Sequence, residues 1–186
     1  RHPRDGSYRF NSGPVEALVT WLETKGFEIG IHGSYNSYTD GAALSDELVT
    51  LASIAREVRG VRQHYLRFDP RSTFAVQEQA TLKYDSTLGF AEHEGYRSGI
   101  GLPYHPYNFD DDRAFKLLEI PLIIMDGTLY NPGYRNMTPE VAWKAVENIL
   151  VTTKRFNSCA TLLWHNTSFN DDEFPGMGDI YWKALD

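Results

Sequence analysis

Helical and extended periodicities alternate along most of this 186-residue chain, and that alternation restricts its fold more than any other feature. Residues 14–26, PVEALVTWLETKG, open with Pro14, repeat apolar side chains at Val15, Leu18, Val19 and Leu22, and stop at Gly26. That is the pattern of an amphipathic helix. Residues 27–32, FEIGIH, follow with period two and read as a short strand broken by Gly33. A second helix is expected over 44–58, with Leu44, Leu48, Leu51, Ile54, Ala55 and Val58 on one face. A strand is expected over 60–68, a third helix over 70–82 with Pro70 near its first turn, and a short strand and turn at 83–87. Residues 86–113 lack periodicity and are rich in Gly, Pro, Tyr, His and Asp, which marks a long functional or mobile loop. FKLLEIPLIIM, 115–125, reads as a buried strand pair or one bent strand. The longest helix runs over 138–156, with Thr138 as N-cap, Pro139 at its first position and Glu140 in its first turn. A buried strand, SCATLLWH, and a short terminal helix, DIYWKAL, complete the chain. Alternation of this kind implies an α/β fold with a mainly parallel sheet or barrel, here one domain over residues 1–186.

The remaining composition narrows the partners. A net charge of −7 argues against nucleic acid or an anionic membrane surface, since both need a basic footprint. The apolar runs are too short for a transmembrane segment, and RHPRDGSYRF has no signal-peptide core. Cys159 is the lone cysteine, so an internal disulfide and a Cys-rich zinc site are excluded; its setting reads as a core thiol. Aromatic residues make up 13%, including eleven tyrosines, which suits either an aromatic core or a sugar-stacking cleft.

Several strands end on chemically active residues. FEIGIH ends at His32, EIPLIIMD at Asp126 and TLLWHN at His165. Arg62 and His64 stand two apart in the 60–68 strand and are expected on one face. Parallel strands would carry these groups to one mouth, an arrangement suited to metal-assisted hydrolysis. Each residue also has a structural reading. A histidine at a strand end can be a hydrogen-bonded core group, Asp126 before Gly127 fits a turn, and Arg62 can pair with a surface carboxylate. Asp5 stands isolated and receives no role.

The segments GFEIGIHGSYNSY, VRGVRQHYLRFD, YDSTLGF, YRSGIGLPYHPYNF, LLEIPLIIMDGTLY and TLLWHNTSF occur in an order that resembles the polysaccharide deacetylases, carbohydrate esterases with the NodB-homology domain. The resemblance runs from about residue 15 onward. It implies a distorted (β/α) barrel and a divalent metal, zinc by expectation. The implied reaction is the removal of acetyl groups from N-acetylated sugars by a bacterial enzyme, in the cell envelope or the cytoplasm. By position, His32 matches the first histidine of the family's metal motif, and Asn36 stands where the second would be. His64 stands where a proline is usual and is a replacement ligand or a hydrogen-bonding group. Arg62 matches the arginine that orients the base, Asp126 the carboxylate that pairs with the catalytic histidine, and His165 the histidine that protonates the leaving amine. Tyr65 and Trp164 would line the acetyl or sugar pocket.

The family's Thr-Phe-Asp-Asp motif does not occur in the sequence. The resemblance therefore implies a barrel incomplete at the N-terminus, its open edge covered by a preceding segment or by a second copy. Beside the enzyme stand a relative that binds carbohydrate without hydrolysing it, and a hydrolase acting on other C–N bonds.

Overall fold

The expected alternation of helix and strand is present. The computed structural model describes residues 2–6 and 12–186, which fall into two units: Arg1–Thr87 with Tyr104–Glu119, and Leu88–Pro103 with Ile120–Asp186.

The first unit contains, in chain order, α1 (Gly13–Thr24), β1 (Ile29–Gly33), α2 (Gly41–Ala52), β2 (Val58–Gln63), α3 (Thr73–Gln79), β3 (Tyr84–Asp85), a hairpin of β4 (Tyr107–Asn108) and β5 (Arg113–Ala114), and β6 (Leu118–Glu119). Strands β1, β2, β3 and β6 lie side by side in that order, and each neighbouring pair is parallel. Val19 of α1, Leu44 and Leu51 of α2, Ile31 of β1 and Val61 of β2 close the core beneath them. Their removal from water is the main source of the unit's stability.

Helix α2 begins earlier than the periodicity predicts, because the Asp40 side chain caps the Ala43 N–H at 3.0 Å. It also ends earlier. The Ser53 hydroxyl donates to the Thr50 carbonyl at 2.7 Å and competes with the helical ladder. Ile54 still packs on the core from the turn that follows, so the apolar spacing continues where the helix does not. Val58 then opens β2.

Strand β2 stops at Gln63, so His64 does not share a strand face with Arg62 as expected. It opens a short 3-10 turn, His64–Leu66. Gly33, which ends β1, has a spatial reason to be glycine. A Cβ there would lie 2.4 Å from both Gln63 Oε1 and Ser37 Oγ.

The second unit contains β7 (Leu122–Met125), α4 (Asp126–Tyr130), α5 (Pro139–Arg155), β8 (Thr161–Leu163) and α6 (Met177–Leu185). β7 and β8 pair in parallel. Ile123, Ile124, Leu129, Ala142, Val146, Met177 and Ile180 form its core. Helix α5 has the start predicted from Thr138, Pro139 and Glu140. The 115–125 stretch forms two strands, β6 and β7, which belong to different sheets. Strand β8 is shorter than expected, and Cys159 lies before it, half-buried, with its N–H on the Gly101 carbonyl at 2.7 Å. The observed fold is thus α/β with a parallel sheet. Among the described residues no helix is long and apolar enough to cross a membrane.

Candidate functional site

In the first unit the end of β1 is in register with the end of β2, His32 opposite Arg62 and Gly33 opposite Gln63. His32 is exposed there, and the His64 ring lies edge-on to it with centroids 5.0 Å apart. The turn that carries His64 is strained. Tyr65 has φ 59° and Leu66 φ 51°, positions that non-glycine residues rarely occupy. Asp5 joins this group, which its sequence setting did not reveal. Its Oδ1 accepts the Tyr35 N–H at 2.8 Å and lies 3.7 Å from His64 Nδ1, and its Oδ2 accepts the His2 N–H at 3.0 Å. Burial works to raise the Asp5 pKa, but the Tyr35 and His2 amides and His64 outweigh it and hold the carboxyl below its usual value.

His32, Asn36 and His64 are the residues expected to hold an ion, and as placed they do not fit one. The Asn36 Oδ1 accepts from the Arg67 guanidinium at 3.0 Å, so that oxygen already faces a cation. Among the described residues no group of three or more His, Cys, Asp or Glu side chains is placed to hold a metal ion. Tyr65 is exposed, its ring tilted against His64 and edge-on to Tyr35.

Arg62 lies beside a buried acid pair in the same unit. Its Nε donates to the Ser86 carbonyl at 3.0 Å, and its charge faces Asp85 and Glu119. Burial lowers the Arg62 pKa, and those acids oppose the shift. Asp85 and Glu119 occupy partner positions on β3 and β6 and are fully buried. Two like charges buried side by side are unfavourable, which favours a proton on one of the carboxyl groups. Burial raises the Asp85 pKa above its usual value, although Thr87 and Gln77 hydrogen-bond to it. The sign for stability follows. The unfolded carboxyl ionises near 3.9, the folded one higher, so stability is lost as pH rises through the folded value. We predict that Asp85→Asn flattens this loss. Gln77 can turn its Oε1, which has no partner among the described residues, towards the new amide. Urea denaturation of both proteins from about pH 4 upward checks this: the wild type should lose stability relative to the variant as pH rises.

In the second unit Asp126 opens α4 and is fully buried. Its Oδ1 accepts His165 Nδ1 at 2.7 Å and the Gly127 N–H at 2.6 Å. Its Oδ2 accepts the His165 N–H at 2.7 Å and the Ser168 hydroxyl. Burial alone would raise this carboxyl, but the bonds from His165 and Ser168 hold it below its usual value. Asp126 is therefore an ionised acceptor, which requires the proton of the neutral imidazole to sit on Nδ1. Nε2 then carries the lone pair on a ring that remains 49% exposed. A carboxylate-fixed, half-exposed imidazole of this kind can transfer protons. Trp164, expected in a substrate pocket, donates its Nε1–H to the Met177 carbonyl at 3.1 Å and packs on the core. A groove of about 390 Å³, lined by residues such as Pro139, Trp143 and Lys183, contains none of the expected site residues.

The structure thus brings His32 and His64 together with Asp5 in one unit, and Asp126 with His165 in the other. Sequence reasoning missed Asp5, Ser168 and the Asp85–Glu119 pair. Glu119 had a signal, an acid inside the apolar run LLEIPL. Ser168 had a weaker one, three residues after His165.

No protein-family model matches the chain, and no curated protein does. A solved structure from Mycobacterium smegmatis, described as a "putative polysaccharide deacetylase", superposes with a TM-score of 0.67 at 18% identity. The match covers 95% of this chain and 61% of that one, so this chain spans about three fifths of its neighbour's length. At that identity the likeness shows a shared fold.

Proposed function

We propose that this chain hydrolyses the acetamide of N-acetylated sugars, releasing acetate and a free amine. The observation that carries the reading is the Asp126–His165 pair, with its ionised, buried carboxylate and half-exposed ring. In this reaction water adds to the acetyl carbonyl carbon and the C–N bond breaks. The amine leaves readily only if its nitrogen is protonated. Nε2 of His165 first takes up a proton from solvent, and the resulting imidazolium, oriented and stabilised by Asp126, gives that proton to the leaving nitrogen and returns to the neutral ring. The solved neighbour's description supports the same substrate class.

A second reading, glycan binding without hydrolysis, is favoured by Asn36, which holds Arg67 where the family resemblance implies a metal ligand. Incubation with N-acetylglucosamine oligomers, followed by proton NMR, separates the two. Acetate released in step with free amine supports the hydrolase. Binding of the oligomers with no acetate supports the second reading.

A further inference from the structure

The first unit carries a cationic, aromatic cluster that the hydrolytic reading does not use. Arg67 donates from Nη1 to the Tyr35 carbonyl at 2.7 Å and to Asn36 Oδ1 at 3.0 Å, and from Nη2 to the Tyr38 hydroxyl at 2.8 Å. Its guanidinium carbon lies 3.9 Å from the Tyr35 ring centroid and 4.2 Å from that of Tyr38. All these partners are neutral. A guanidinium has five N–H donors, so the bonds that fix this one leave it further donors. Arg4 lies 5.2 Å from the ring centroids of both Tyr35 and Tyr65. Among the described residues no carboxylate forms an ion pair with Arg4 or Arg67. Asp5, the acid beside the cluster, is committed to Tyr35, His2 and His64.

The cluster is also held in place at a cost. Tyr65 keeps its left-handed backbone, with 58% of the residue exposed, edge-on to Tyr35. Strained residues of this kind persist where the surrounding structure demands them and gather at ligand sites. A planar guanidinium matches a planar carboxylate; Tyr35 already stacks on His2 at 4.0 Å, which leaves the exposed Tyr65 ring for the C–H face of a sugar. The patch is too small, and the chain too acidic, for a long polyphosphate backbone.

We propose that Arg4 and Arg67, mounted on Tyr35 and Tyr65, bind the carboxylate of an acidic sugar unit, so that the glycan this chain takes is anionic. The proposal rests on the reading of the ligand as a glycan and adds its charge. Asn36 becomes a positioning residue for Arg67.

The test uses the full chain and a tetrasaccharide of alternating N-acetylglucosamine and glucuronic acid. Its carboxylates are either intact or reduced to primary alcohols, and binding is measured by calorimetric titration at low salt. The intact sugar should bind about tenfold tighter or more, the scale of a charge-assisted contact. Arg67→Ala should bring the two sugars close to parity, and Arg67→Lys should fall between, since lysine keeps the charge without the fork. Arg4→Ala, an exposed side chain with no structural hydrogen bond among those described, should also reduce the preference and guards against a folding artefact of the Arg67 variants. Equal binding of the two sugars, a preference that survives both alanine variants, or no binding of either sugar overturns the proposal. Preference without acetate release keeps this subsite and removes the hydrolase reading. Acetate release without preference does the reverse.

Discussion

Asp126→Asn should cost about 2–4 kcal/mol of stability at neutral pH and lower acetate release by about 10²- to 10⁴-fold. The two carboxylate oxygens serve different backbone amides, Gly127 on Oδ1 and His165 on Oδ2. An asparagine has one oxygen, so either orientation of its amide turns an NH₂ towards a backbone N–H. A buried donor is then left unsatisfied, and Ser168 or the His165 ring loses its acceptor as well. The catalytic loss has a separate cause. Without the carboxylate, the Nδ1–H form of the imidazole is no longer enforced and the imidazolium no longer stabilised. The stability loss should shrink in acid. The folded Asp126 ionises below its usual value, so its contribution is complete above the unfolded value of about 3.9. That contribution disappears as pH falls through the folded value. Urea denaturation at neutral pH and in acid measures both parts. An equal destabilisation at both would contradict the assignment of Asp126 as an ionised acceptor.

Local signals were legible in the sequence where the determining contacts are themselves local. The start of α5 at Thr138 and Pro139 needs only neighbouring residues. The limits of α2 and β2 were harder. Ile54 keeps the helical apolar spacing from a turn, and nothing in VRQHYL announces the left-handed backbone of Tyr65 and Leu66. Asp126 and His165 were legible as strand ends although 39 residues separate them. Their placement follows from the pairing of β7 with β8, an arrangement that alternating elements imply. Asp5 was not legible, because the Tyr35 amide that fixes it lies 30 residues away and no pattern connects the two. Asn36 shows the converse. Its position in the HGSYN stretch suggested a ligand, whereas its partner is Arg67, 31 residues on. The Asp85–Glu119 pair depends on the β3–β6 register, which two-residue strands do not signal.

His165→Ala gives the second large effect, and its size should depend on the leaving group. An amine leaves a tetrahedral carbon only with a proton, so loss of the proton donor should cut acetate release from an N-acetylated sugar by about 10²- to 10⁴-fold. A 4-nitrophenolate leaves without one. The same variant should therefore hydrolyse 4-nitrophenyl acetate nearly as well as the wild-type chain. The most direct measurement is the ratio of these two rates in wild type and His165→Ala. A collapse of the amide rate with the ester rate largely kept is the predicted result. An equal fall in both rates, or an unchanged amide rate, would contradict the role of His165 as the group that protonates the leaving nitrogen.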